Sequence, residues 1–273
     1  MKYTYEYFKK SADYILSKIN YEPEIAIVLG SCLGPLAEEI KDKTVIDYGD
    51  IPNFLKSTVD SHAGKLILGE LNGRKVVCMS GRFHYYEGYN FEDLVTPIRV
   101  FKLLGAETVI LTNAAGGVNP KYRPGDIMII KDHIKQTGAS PLRGQNIDEF
   151  GPRFFDMTNA YNREYRNLAR NIGEKLGIHL KEGIYYYTTG PQFETPAEVR
   201  AIGLLGGDAV GMSTVTETIT AAHMGMKVLG LSLITNMGAG VQDKELTIDE
   251  VDMTAEKSAE KFKELLREIV KEI

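Results

Sequence analysis

Apolar residues recur along this chain in two rhythms, and the switch from one to the other maps its elements. Short β-branched runs read as buried strands: "EIAIVLG" (24–30), which stops at a glycine, then "TVILTN" (108–113), "DIMIIKD" (126–132), "IYYYTT" (184–189), "DAVGM" (208–212) and "KVLGLSLITN" (227–236). "KLILGELNGRKVVCMS" (65–80) holds two such runs joined by Asn72-Gly73, the strongest short hairpin signal. Helical spacing takes over in "FEDLVTPIRVFKLLGAE", which predicts a helix despite Pro97. Three further helix starts carry a Thr with a Glu three residues later: Thr195…Glu198, with Pro196 in the favoured first position, Thr214…Glu217 and Thr247…Glu250. The last opens a long helix whose apolar positions Val251, Ala255, Ala259, Phe262, Leu266 and Ile269 return every three or four residues, a face suited to packing on a sheet.

Strands alternating with helices, plus one tight hairpin, predict an α/β fold: a single domain over residues 1–273, with a mixed β-sheet flanked by helices on both faces. No linker, internal repeat or low-complexity stretch interrupts it, and 273 residues lies at the upper end of what one α/β domain reaches. The segment from Lys135 to Asn162 has no clear periodicity. Irregular stretches that long in a compact domain are usually functional or disordered.

Composition narrows the function. A hydrophobic content of 43% with 25% charged residues is ordinary for a sizeable core. The net charge of −5 argues against a nucleic-acid or anionic-membrane surface, so an anionic substrate must be met by a local arginine or by backbone donors. Cys32 and Cys78 have no metal-type spacing and suggest a reducing compartment. The start "MKYTYEYFKKSADYILSKI" is amphipathic without an apolar signal region, and no run approaches the ~18 apolar residues of a membrane span. A cytoplasmic protein is expected.

In open α/β sheets, ligands bind beyond the carboxyl ends of the strands. Those ends read "GSCLG" (30–34), "GRFHYYEG" (81–88), "TNAAGG" (112–117), "TTGPQFET" (188–195), "VGMST" (210–214) and "ITNMGAG" (234–240), nearly all mixing glycine with polar side chains. Six together suggest one composite pocket. "GSCLG" reads equally as a turn into the helix near Pro35 or as an oxyanion site built from Ser31 and backbone amides. Arg82 and His84, two apart, project to one side of an extended segment and suit phosphate; the alternative is a surface arginine with a packed histidine. "TNAAGG" reads as a flexible turn that lets backbone approach a ligand, or as a packing turn. Ser213 and Thr214 open a helix, where an anion is favoured and capping is also satisfied. Phe193, Glu194 and Asn236 supply an aromatic, a carboxylate and an amide, a set able to stack on and hydrogen-bond a flat heterocycle. No persuasive Ser-His-Asp order and no G-x-S-x-G elbow is present, and the five histidines form no H-E-x-x-H or other metal pattern, so metal catalysis is not expected.

Taken in order, "LGSCLG", "HAGKL", "GRFHYYEGY", "TNAAGG", "PLRG", "GPQFETPAE", "VGMSTVTE" and "SLITN" resemble the motifs of the trimeric, 6-oxopurine-specific purine nucleoside phosphorylase family, over most of the chain. The resemblance implies a nucleoside phosphorylase-like fold, a homotrimer, and reversible phosphorolysis of inosine, guanosine and their 2′-deoxy forms. Inorganic phosphate would be the co-substrate, with no metal or other cofactor, and small molecules the only ligands. It implies that Ser31, His62, Arg82, His84, Ser213 and the amide of Ala114 hold phosphate, with Glu87 orienting His84. Tyr86 and Met212 would line the ribose, joined by Phe154 from a neighbouring subunit. Tyr185, Phe193, Glu194, Gly211 and Asn236 would form the purine pocket, and His84, Glu194 and Asn236 are the implied catalytic residues.

One position departs from the pattern. Many relatives carry a histidine near the start of the last helix that contacts the sugar 5′-hydroxyl; the matching stretch here is "TIDEV", with Ile248 in that place. This implies tolerance of 5′-deoxy or apolar 5′-substituted nucleosides and keeps a methylthioadenosine phosphorylase as an alternative. Asn236 opposes that alternative, because the sister family typically carries aspartate there. A non-catalytic purine- or phosphate-binding protein on the same fold is the third reading.

Overall fold

The computed structural model describes residues 3–30, 33–56, 64–242 and 247–273, the side chains of 248–250 excepted. Nine strands form one mixed sheet in the order β2-β3-β4-β1-β5-β8-β7-β6-β9. These are β1 (Ile25–Leu29), β2 (Lys41–Asp47), β3 (Lys65–Leu71), β4 (Arg74–Ser80), β5 (Thr108–Gly117), β6 (Ile127–Ile134), β7 (Lys181–Tyr187), β8 (Ala209–Gly211) and β9 (Lys227–Met237). An added β5–β9 pairing closes β5, β8, β7, β6 and β9 into a ring. The sheet is thus open on the β2 side and barrel-like on the other.

The helices are α1 (Tyr5–Leu16), α2 (Phe91–Leu94), α3 (Thr96–Leu103), α4 (Arg163–Lys175), α5 (Pro196–Leu204), α6 (Val215–His223) and α7 (Ile248–Glu272). Strand β1 shows why they must cover both faces. Its alternate residues point to opposite sides, yet all five are buried. Ala26 and Val28 pack into a core with Phe8 and Ile15 of α1, Ile98 and Phe101 of α3 and Val215 of α6. Ile25, Ile27 and Leu29 pack into a second core with Ile172 of α4 and Phe262, Leu266 and Ile269 of α7. Each Val, Leu, Ile or Phe among these contributes roughly 1.5–3 kcal/mol by leaving water, so the continuous apolar run of β1 requires a layer on each side.

Several sequence expectations change in detail. The hairpin β3–β4 turns at Asn72-Gly73 with φ of 49° and 84°, the two positive values that a tight two-residue turn demands. Strand β2 was not expected. It is an edge strand in which Ile46 alone is fully buried, so it carries no alternating signal. The single helix expected across Pro97 is two, broken at Val95, and Pro97 sits in the first turn of α3, where its missing N–H costs nothing. The segment between β6 and α4 is irregular apart from a short turn at Asp148–Phe150. "TNAAGG" is not a turn. Strand β5 runs through Gly117, paired to β9 along its length with a register shift between Ala115 and Gly116. It first borders β1 (Thr108–Leu111) and then β8 (Gly116–Gly117), so the four residues between, 112–115, border the gap where the sheet divides. Among the described residues, no helix is long and apolar enough to cross a membrane.

Candidate active site

The gap beside β5, between β1 and β8, opens into a cavity of about 190 Å³. Its lining comes from the carboxyl ends of β1, β4, β5, β8 and β9, from the loop before α5 and from Val251 of α7. Gly30 ends β1 here because a Cβ would stand 2.7 Å from the Thr112 carbonyl and 2.8 Å from the Asn113 Cα. Close packing against β5 therefore accounts for this glycine.

Arg82 follows β4 and is 2% exposed, so it is not a surface arginine. Its Nε donates to Glu217 Oε1 at 3.1 Å, and its Nη1 donates to the Thr112 carbonyl at 2.7 Å and to Ser213 Oγ at 3.1 Å. The other oxygen of Glu217 accepts from the Thr214 backbone N–H at 2.6 Å. Thr214 has φ 73° and ψ −43°, and the N–H of Val215 donates to the Ser213 carbonyl at 2.8 Å, closing a γ-turn of the rare positive-φ kind. Such a conformation costs on the order of 1–3 kcal/mol in a threonine. The carboxylate of Glu217 and the amide of Asn113, which donates to Thr214 Oγ1 at 2.9 Å, offset that cost. The turn aims Ser213 into the cavity beside Arg82.

His84 is 8% exposed, and Glu87 accepts from its backbone N–H at 2.7 Å and stands 3.1 Å from its Nδ1. A carboxylate only accepts, so Nδ1 carries a proton. The imidazole stacks on Tyr86, with ring centroids 4.7 Å apart. Burial, assisted by Glu87 and opposed by Arg82, pushes the Tyr86 phenol up to about 12, so the hydroxyl stays protonated.

On the remaining wall stand Phe193, Glu194, Gly211, Met212 and Asn236. Asn236 is held by its neighbours: Thr235 Oγ1 donates to its Oδ1 at 2.9 Å, and its Nδ2 donates to the Met237 carbonyl at 3.2 Å. Glu194 Oε1 accepts from Thr188 Oγ1 at 2.8 Å. After Glu194 the chain enters α5 through a reciprocal cap between Thr195 and Glu198, as the sequence predicted.

The structure therefore brings Arg82, His84, Tyr86, Ala114, Phe193, Glu194, Gly211, Met212, Ser213 and Asn236 to one cavity. Tyr185 corrects the expected purine set. It is fully buried behind the wall, where its hydroxyl accepts from the Ser213 N–H at 3.4 Å. A Cβ on Gly211 would stand 2.3 Å from that hydroxyl, so the tyrosine backs the lining rather than forming it. Phe154 lies outside the cavity and is 88% exposed. Ser31 and His62 lie outside the described residues, as does the side chain of Ile248.

The phosphorylase superfamily model matches residues 24–271. Purine nucleoside phosphorylase 1 of Geobacillus stearothermophilus is 51% identical over 263 residues, covering 96% of each chain. The chain belongs to the purine nucleoside phosphorylase family. Its fold is that of solved members: Schistosoma mansoni purine nucleoside phosphorylase in complex with inosine superimposes with a TM-score of 0.95 at 40% identity, covering 100% of this chain and 99% of that one. The Schistosoma mansoni enzyme in complex with adenosine gives 0.94 at 41% identity, covering 99% of each.

Membership of this family makes the protein an enzyme acting on purine nucleosides, and it directs attention to residues that sequence reading passed over. Asn113 and Thr235 sit beside the chosen Ala114 and Asn236 and line the same cavity. Glu217 was legible only as a helix cap. Its second partner, Arg82, is 135 residues away and leaves no local signal.

Proposed function

We propose that the protein catalyses reversible phosphorolysis of 6-oxopurine nucleosides, inosine, guanosine and their 2′-deoxy forms, giving the free base and (deoxy)ribose 1-phosphate. One observation carries this reading: a single cavity joins an anion-binding group of Arg82, His84 and Ser213 to a heterocycle-binding group of Phe193, Glu194 and Asn236. Inorganic phosphate is the co-substrate and no cofactor is needed.

Phosphate rests on the Arg82 guanidinium, the Ser213 hydroxyl, the Ala114 amide and His84, placed against the sugar lined by Tyr86 and Met212. The glycosidic C–N bond breaks with its electron pair leaving on the purine, and a phosphate oxygen forms the new bond to the anomeric carbon. Between these events the sugar has oxocarbenium character, which the adjacent phosphate stabilises. Charge grows on the five-membered ring of the purine, where Asn236 meets it. Donors already in place for developing charge are commonly the largest catalytic term, and holding both reactants adds an orientation effect. Glu194 accepts from the ring N–H of hypoxanthine or guanine. Adenine presents an acceptor at that position, and the mismatch leaves buried groups unpaired.

A cytoplasmic homotrimer completes the reading. The 88% exposure of Phe154 suits a side chain that reaches a neighbouring subunit's sugar site. Ile248 favours one competing substrate, methylthioadenosine, while Asn236 opposes it. The test is base release from inosine, adenosine and methylthioadenosine, each with and without phosphate. Phosphate-dependent cleavage of inosine alone is expected; cleavage of methylthioadenosine instead would overturn the specificity, and binding without turnover would mean a non-catalytic protein.

A further inference from the structure

Glu194 occupies an awkward place for a group that must select a base. It stands at the end of a loop whose residues Pro191, Gln192 and Phe193 are exposed, and it is itself only half-buried. Its carboxylate walls two cavities at once, the active site and a second one lined by Gln136, Tyr186, Thr188 and Gln192. Thr188 lines the second cavity and not the first. From that far side its hydroxyl donates to Glu194 Oε1 at 2.8 Å.

Thr188 is itself anchored. It directly follows β7, and its backbone N–H donates to the Gly211 carbonyl at 3.0 Å, extending the β7–β8 pairing by one residue. Its β-branched side chain has few rotamers to choose from. A rigid donor on the sheet thus grips a carboxylate at the end of an exposed loop. The gripped oxygen is satisfied, which leaves the other to accept from a ligand.

We propose that Thr188 is a specificity-determining positioning residue, which holds the Glu194 carboxylate in the orientation that accepts the ring N–H of a 6-oxopurine. This rests on the base-recognition role given to Glu194 above. Thr188 does not line the active-site cavity, so its effect is expected to reach base recognition through Glu194. It acts through Glu194 alone.

The test is a double-mutant cycle with Thr188→Val, Glu194→Gln and the combination, assayed with inosine and phosphate, with thermal melts as a folding check. Thr188→Val, close in shape but lacking the donor, is expected to raise KM for inosine about tenfold, the scale of a hydrogen bond to a charged group, with kcat and the phosphate KM within about twofold. Thr188→Ser, which keeps the hydroxyl, is expected to restore most of the affinity. In the Glu194→Gln background Thr188→Val is expected to change KM for inosine far less than in the native one, because coupled residues are non-additive. An unchanged inosine KM in Thr188→Val, no rescue by serine, or an equal loss in both backgrounds would overturn the proposal. An unchanged inosine KM in Glu194→Gln alone would instead remove the base-recognition role of Glu194, whatever Thr188 does.

Discussion

Glu217 joins the guanidinium of Arg82 to the backbone of Thr214: one carboxylate oxygen takes Nε at 3.1 Å and the other takes the N–H at 2.6 Å. With side chains 2% and 8% exposed, the pair is buried in the wall of the active site. One carboxylate therefore sets both the fork of Arg82 and the strained turn that presents Ser213.

Replacing Glu217 with alanine removes both contacts. A buried arginine that loses its carboxylate typically costs about 3–5 kcal/mol, and the turn at Thr214 loses a support as well. The expected outcome is a marked fall in Tm together with at least a tenfold rise in the phosphate KM. Glu217→Gln keeps the volume and one acceptor, and is expected to fall between the two. Denaturant titration and phosphate saturation curves check both; a normal phosphate KM in a folded Glu217→Ala enzyme would contradict the role.

Two contacts orient the Asn236 amide: the Met237 carbonyl, which only accepts, takes Nδ2, and the Thr235 hydroxyl adds a second cue by donating to Oδ1. Thr235→Val removes that cue while keeping the shape. Losing a buried hydrogen bond costs about 1 kcal/mol, and an amide free to flip spends less time in the useful orientation. A fall in kcat of about fivefold for inosine is expected. Asn236→Asp replaces the donor with a charge and is expected to shift the inosine-to-adenosine ratio of kcat/KM toward adenosine. Steady-state assays with the two nucleosides read both effects.

Phe154 gives a test of the proposed trimer. Its side chain is 88% exposed in the single chain, so Phe154→Ala should alter chain stability by no more than about 0.5 kcal/mol, as for other surface positions. The inosine KM should nevertheless rise. Mixing Phe154→Ala subunits with Arg82→Ala subunits should then restore activity, because a mixed trimer contains sites with Arg82 from one chain and Phe154 from the next. Lack of recovery on subunit exchange, verified by mass measurement of the assemblies, would argue against a shared site.

Two histidines away from the site shape the acid stability. Burial lowers the basicity of His133, whose Nδ1 lies 3.0 Å from the Tyr161 hydroxyl. Burial lowers that of His223 too, aided by the nearby Arg99 cation. A histidine with a depressed folded pKa binds fewer protons folded than unfolded, so its contribution is complete above the unfolded value of about 6.5 and is lost as pH falls below it. Each can change stability by at most ~1.4 kcal/mol per pH unit. Unfolding free energy should fall as pH drops below about 6.5, and a folded His223→Gln variant should show a shallower slope there.

What the sequence determined by itself is what local chemistry can encode. Two positive-φ residues at Asn72-Gly73 compel a tight hairpin, Thr195 and Glu198 cap a helix three residues apart, and β-branched runs such as that of β1 demand cover on both faces. The polar strand ends likewise announced a composite pocket, and ten of the candidate residues line one cavity. The tertiary structure decided the rest, because those features depend on pairings with no local trace. Strand β5 continues through glycines only because β9 pairs with it along its length, and β2 forms at an exposed edge where no hydrophobic alternation is needed. Tyr185 sits behind the wall because Gly211 leaves room for its hydroxyl. Glu217 and Thr188 read as a cap and a strand end until folding sets one against Arg82, 135 residues distant, and the other against Glu194 on a loop that turns back to it. Chain connectivity states which groups are present; only the closed sheet states which of them share a hydrogen bond.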